Sequence, residues 1–190
     1  MRASLPSRRL ILGLSFAAAL AGCAPRLTDP SLFDASAAGP YRLAGGDRVR
    51  VIVFGQPSLS NAYSVGGAGS VSFPLIGDVR ALGRTTDQLA AAIAGKLRGG
   101  YLRDPQVSVE VQAYRPFFVL GEVSAAGQFP FIEGMTVRQA VALAGGYTAR
   151  ADRSGARVTR AIDGVTHSGD VSLDFPLRPG DTVTVKERFF

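Results

Sequence analysis

Apolar residues recur along this chain with a period of two in several short stretches and with helical spacing in two others. Arg48-Val49-Arg50-Val51 alternates and Ile52-Val53-Phe54 is wholly apolar, which predicts a strand half buried at its start and fully buried at its end. Residues 62–65 and 70–75 flank Gly66-Gly67-Ala68-Gly69 and predict a hairpin with a flexible tip. Ile76 and Val79 flank a turn at Gly77-Asp78. Thr85 stands at a helix N-cap with Gln88 three residues on, a capping-box spacing. Leu89, Ile93 and Leu97 then form one apolar stripe, and Gly99-Gly100 stops the helix. Residues 106–113 alternate strictly, with Val107, Val109 and Val111 on one face.

The second block repeats the mixture. Residues 117–123 read as a strand, Ser124-Ala125-Ala126-Gly127 as a turn, and residues 129–131 as a short returning strand that Pro130 assigns to an edge. Thr136 and Gln139 repeat the capping-box spacing, with Val137, Val141 and Leu143-Ala144 as the apolar face and Gly145-Gly146 as the stop. Residues 156–162 and 165–167 flank Asp163-Gly164, a two-residue hairpin turn, and residues 173–177 form one more apolar segment. Leu177-x-x-Gly180-Asp181-x-Val183-x-Val185 repeats the spacing of Leu43-x-x-Gly46-Asp47-x-Val49-x-Val51, one turn-into-strand device used twice. The pattern predicts an α+β chain of two small mixed β-sheet domains, each with a short helix, over residues 41–114 and 115–190.

The start of the chain is of another kind. Arg2, Arg8 and Arg9 precede an apolar run of eleven residues, 10–20. A permanent bilayer-spanning helix needs about 20, so residues 1–22 read as a targeting segment. Leu20-Ala21-Gly22-Cys23 resembles the bacterial lipobox, whose cysteine is lipidated and becomes the first residue of the mature protein; the alternative is an ordinary secretory peptide with Cys23 incidental. Ala24, in place of Asp, resembles outer-membrane sorting. Residues 23–40 then carry the lipid and a Pro-, Ser- and Ala-rich tether, which extends on the order of 50 Å.

Processing changes the charge argument. Three arginines leave with the signal, so the formal net charge falls from +6 to +3, and nucleic-acid binding loses most of its electrostatic support. Candidate catalytic chemistry is sparse. The single histidine, His167, lies beside a predicted hairpin and reads as a surface or packing residue. Neither a metal-ligand cluster nor a phosphate-binding glycine-lysine loop is spelled out, so no cofactor and no catalytic residue is expected. Asp47 and Asp181 each follow a turn glycine, where an aspartate caps backbone N–H groups. Arg150, Arg153, Arg157 and Arg160 are unusually dense and read either as a solvated face or as a subunit or partner contact.

Several of these stretches carry a family resemblance. Tyr41-x-Leu43-x-x-Gly46-Asp47-x-Val49-x-Val51, Val53-Phe54-Gly55-Gln56-Pro57, Phe73-Pro74-Leu75-Ile76-Gly77 and Tyr101-Leu102-x-Asp104-Pro105-Gln106-Val107 resemble the N-terminal domain of bacterial polysaccharide export proteins. Leu120-Gly121-Glu122-Val123, Gly127-Gln128-Phe129, Gly134-Met135-Thr136-Val137-Arg138-Gln139-Ala140 and Ala144-Gly145-Gly146-Tyr147-Thr148 resemble that family's soluble-ligand-binding β-grasp (SLBB) domain. Ala126-Gly127 stands where the family has Pro-Gly, keeping the glycine that can take positive φ, and Gly45-Gly46-Asp47 where it has Gly-Pro-Gly-Asp.

The resemblance implies an outer-membrane lipoprotein with periplasmic domains, not an enzyme, that exports capsular or exopolysaccharide. It implies a homo-oligomeric ring with polysaccharide in transit, the lipid as membrane anchor, and an inner-membrane co-polymerase or chain-length regulator as partner. The family's long members end in an amphipathic helix that forms an outer-membrane barrel. Few residues follow the last strand here, so the expectation is a separate outer-membrane porin or a lipid-held periplasmic ring. The arginine group would then form a subunit contact or a positive rim facing acidic polymer. The rival expectation is a lipid-anchored β-grasp receptor for a small soluble ligand or glycan.

Overall fold

The computed structural model describes residues 39–162 and 164–188. The targeting segment, Cys23, nearly all of the tether and Asp163 lie outside them. The described residues form an α+β fold with two hydrophobic clusters, one drawn from residues 43–109 and one from residues 117–185.

Strand β1 (Arg48–Val53) is the centre of the first unit. It lies between β2 (Asn61–Ser64) and β5 (Val107–Ala113), antiparallel to both. Its side chains alternate outward and inward along its whole length, so Ile52 stays on the open face and is not buried as the apolar run predicts. Helix α1 (Thr86–Arg98) covers the inner face. The Thr85 hydroxyl accepts the Gln88 N–H and the Gln88 side chain accepts the Thr85 N–H, which closes the expected capping box. Leu89, Ile93 and Leu97 are wholly buried against Val49, Val51, Val53 and Val109. Full burial of one such side chain contributes about 1.5–3 kcal/mol.

The expected hairpin of residues 62–65 and 70–75 does not form. β2 pairs with β1, Val49 opposite Tyr63, and β3 (Ser70–Phe73) pairs with β4 (Gly77–Arg80). A 3₁₀ turn, Pro57–Leu59, folds β2 straight back onto β1, whose edge would otherwise hold unpaired N–H and C=O groups. The turn of the second hairpin lies at Pro74-Leu75-Ile76, with Leu75 at φ 68°, so Gly77-Asp78 sit in a strand.

In the second unit, β6 (Phe117–Gly121), β7 (Gly127–Phe129), β8 (Ala156–Ile162), β9 (Val165–Val171) and β10 (Thr182–Val185) form one sheet in the order β7-β6-β10-β8-β9. β10 is parallel to β6 and antiparallel to β8. Helix α2 (Val137–Leu143) buries Val137, Ala140 and Val141 in the cluster that holds Phe117, Val119, Val158 and Val183. Leu143, expected on that face, is exposed. The Gln139 side chain accepts the Thr136 N–H at 2.9 Å. Residues 173–177 form no strand. They cross the start of α2, where the Val137 and Arg138 N–H groups donate to the Phe175 and Leu173 carbonyls, satisfying orphan donors of the first turn. Gly127 opens β7 with an ordinary backbone, and the left-handed glycine of this region is Gly121 at φ 85°.

Gly121 ends β6 where β10 also ends, and the Glu122 N–H donates to the Val185 carbonyl at 3.0 Å. A Cβ on Gly121 would stand 2.0 Å from that carbonyl oxygen. Gly121→Ala is therefore expected to cost about 3 kcal/mol or more through clash and positive-φ strain. Gly127→Ala, which meets nothing within 4 Å, should stay near wild type. Urea unfolding of both variants reads the difference, and equal midpoints would remove this account.

Candidate functional site

The repeated Leu-x-x-Gly-Asp device builds two turns that meet at the junction of the two units. In the first, the Asp47 carboxylate accepts the Ala44 N–H at 2.8 Å and the Tyr41 hydroxyl at 2.6 Å. Its other oxygen accepts the Arg115 N–H at 2.9 Å, and the Arg115 guanidinium approaches to 3.5 Å and donates to the Tyr41 oxygen at 2.9 Å. Burial first, and then the hydrogen bond to Asp47, push the Tyr41 phenol above its usual range, so it remains a donor.

The second turn is built alike. Asp181 accepts the Arg178 N–H at 2.7 Å and both Nε and Nη2 of Arg160 at 2.9 and 2.7 Å. Arg160 also donates to the Pro176 carbonyl and lies 5.4 Å over the Phe175 ring. Asp47 and Asp181 are wholly buried, each capping its own turn as the Gly-Asp pattern implied.

Arg115 stands between the turns. A Cβ on Gly46 would lie 3.3 Å from Arg115 Cβ, and one on Gly180 would lie 2.6 Å from Arg115 Nε. Both glycines have positive φ, so side-chain-free backbone lines each side of the arginine. The Gly180 N–H donates to the Pro116 carbonyl and the Phe118 N–H to the Asp181 carbonyl. Tyr114 extends the contact, edge-on to Tyr41 at 4.9 Å and to Phe131 at 5.5 Å. The junction is thus a packed contact with its own ion pair.

The four clustered arginines separate. Arg160 is 4% exposed and belongs to the interior, which corrects the expectation of a four-arginine surface. The cause is strand alternation, since Ala156, Val158 and Arg160 share the buried face of β8. Arg150 is exposed and pairs with Glu122 at 3.3 Å and Glu187 at 3.4 Å. Arg153 lies 5.7 Å over the Tyr147 ring. Arg157 and Lys186 flank Asp170 at 3.0 and 2.6 Å.

Beside Asp170 opens a polar cleft of about 360 Å³ that also holds Asp152, Ser154, Ser172 and Lys186. The hydrogen bond from Arg157, then that from Lys186, holds the Asp170 carboxyl below its ordinary range. The Thr148 hydroxyl does the same for Glu122, and the Ser154 N–H for Asp152. Neighbouring donors thus stabilise these carboxylates as anions. His167 lies half-buried in β9 opposite Arg160. Among the described residues no group of three or more His, Cys, Asp or Glu is placed to hold a metal ion.

Residues 35–112 match the family model for polysaccharide biosynthesis/export proteins, and residues 116–171 match that for the SLBB domain. The exopolysaccharide production protein ExoF of Rhizobium meliloti is 36% identical over 178 residues, covering 85% of this chain and 41% of its own length. The EPS I polysaccharide export outer membrane protein EpsA of Ralstonia solanacearum is 31% identical over 185 residues, covering 80% of this chain and 49% of its own. The chain thus spans less than half the length of these relatives.

Two outcomes follow from the charges. Arg160→Met leaves a buried carboxylate without its cation and is expected to cost about 3–5 kcal/mol. Arg157→Met, at an exposed pair, should cost less than about 1 kcal/mol. Urea titrations that rank the two the other way would contradict the burial argument. The depressed carboxyls of Glu122, Asp152 and Asp170 have folded values below their unfolded ones. Their stabilisation is present above the ordinary carboxylate range and is lost as pH falls through the depressed values. Unfolding midpoints measured from neutral to acid should drop less steeply in Asp170→Asn than in wild type.

Proposed function

We propose a transport role for this chain, which belongs to the polysaccharide biosynthesis/export protein family. The observation that carries this reading is the order of the two matched domains, residues 35–112 and then 116–171, shared with relatives named for exopolysaccharide production and export. The family is one of export proteins and not of enzymes, and the chain is assigned no catalytic step.

The chain acts as a subunit of an exporter of capsular or exopolysaccharide at the outer membrane. Cys23 carries the lipid, and the two folded units stand in the periplasm. Copies assemble into a closed ring through head-to-tail contacts, each presenting one surface to the next copy's different surface. The polymer passes through the ring, where weak polar contacts compete with water and no bond is made or broken. An inner-membrane co-polymerase or chain-length regulator delivers the polymer, and an outer-membrane porin receives it. The packed junction around Arg115, with its ion pair to Asp47, supports this reading, because a ring closes only if every subunit holds the same angle between its parts. Arg150, Arg153 and Arg157 remain the proposed contact residues for a neighbouring subunit or an acidic polymer.

Deleting the chain is expected to leave polymer trapped in the periplasm, measured as periplasmic against secreted sugar. Unchanged secretion would end the proposal. Size in mild detergent separates it from a receptor, since a large assembly supports export and a monomer with saturable ligand binding opposes it. Reversing charge at Arg153 and Arg157 together should disturb assembly or secretion, and a wild-type result in both assays would remove those residues from the contact.

A further inference from the structure

The five-stranded sheet has α2 on one face, and on the other the register aligns a single row of side chains. Gln128 lies opposite Phe118, Phe118 beside Thr182, Thr182 opposite Thr159, and Thr159 opposite Ser168. The row crosses every strand of the sheet from β7 to β9. Phe118 is 40% exposed, Gln128 is exposed, and the three hydroxyl residues are half-buried among their neighbours. The Thr159 and Ser168 hydroxyls are 2.8 Å apart and hydrogen-bonded. A second row runs beside the first through Leu120, Thr184, Arg157 and Asp170, with Lys186 at its end on Asp170.

We propose that this outer sheet face is a polysaccharide-contact surface, with a sugar chain lying across the strands along the Gln128-to-Ser168 row. The inference rests on the export reading and names where on the chain the polymer touches. Strands are about 4.8 Å apart, so the row is about 19 Å long and each step is about the advance of one sugar in an extended chain.

The side-chain chemistry fits such an occupant. A hydroxyl donates and accepts, and an amide does both with fixed geometry, which matches sugar hydroxyls of unknown stereochemistry. The Phe118 ring offers a flat apolar face to the C–H face of a pyranose. Hydrogen bonds exchanged with water are worth little net, so contact of this kind is weak and lets a polymer slide. A protein partner fits less well. The core of a protein interface is apolar, and here the row holds one ring among an amide and three hydroxyls.

The test uses the full chain in mild detergent and labelled short fragments of exopolysaccharide, collected from the same cells and broken by sonication. Fluorescence polarisation should show weak saturable binding. Phe118→Ala combined with Thr182→Val should lower the affinity about tenfold, the loss of one stacked ring and one hydrogen bond. Arg98→Ala, on helix α1 in the first unit, should leave it unchanged. If the Phe118 variant melts early, Gln128→Ala with Thr182→Val at exposed and half-buried positions carries the same test. Affinity unaltered by the face variants overturns the inference. A change in assembly size with no change in affinity also overturns it and assigns the face to a second copy. If deletion traps polymer while the face variants bind normally, this inference alone fails. If deletion leaves secretion intact, the export reading fails with it.

Discussion

Arg115 sits where two buried carboxylate turns come together, and its environment explains why this molecule needs glycine on both sides of it. Its backbone N–H and its guanidinium both serve Asp47, while its stem lies over Gly180 in the neighbouring turn. Burying a carboxylate is costly unless its oxygens are filled. Asp47 is filled by its own turn, by Tyr41 and by Arg115; Asp181 by its own turn and by Arg160. Ion pairs of this kind add little net stability against a well-packed apolar alternative, but they penalise any arrangement in which a partner is missing. Asp47 and Arg115 thus tie the first unit to the start of the second.

The three-stranded and the five-stranded sheet each give one face to a helix and keep the other open. The open face of the five-stranded sheet carries hydroxyls, an amide, the Phe118 ring, the exposed Leu120 and matched charges. The Asp152 and Asp170 carboxyls of the polar cleft, and that of Glu122 elsewhere, are held as anions by neighbouring donors.

Local signals carried much of the architecture. Both helices begin where a Thr and a Gln three residues on predict, because capping depends on atoms within one turn. The valines of β1 and the Gly-Asp turns are similarly local. The same alternation that put Val158 inside also places Arg160 inside, and only the density of arginines around it obscured that. The pairing of β2 and β3 was misread because Gly66-Gly67-Ala68-Gly69 has a hairpin's composition. Composition cannot register that β1 still lacked a partner along one edge. Gly121 was visible as a motif glycine, yet its necessity comes from Val185, which is 64 residues further along the chain.

Taken alone, the order of residues determined where both helices begin, the inward valines of β1, and the two Leu-x-x-Gly-Asp turns. It also carried the family likeness, because those features recur at fixed spacing. Tertiary structure decided which strands pair, that β10 enters between β6 and β8, and that Arg115 fills the space between the turns. The reason is that backbone N–H and C=O groups are the same at every residue. A strand's own sequence states how it lies in a sheet but not which strand lies beside it, and that choice waits for the whole chain to bury its apolar faces at once.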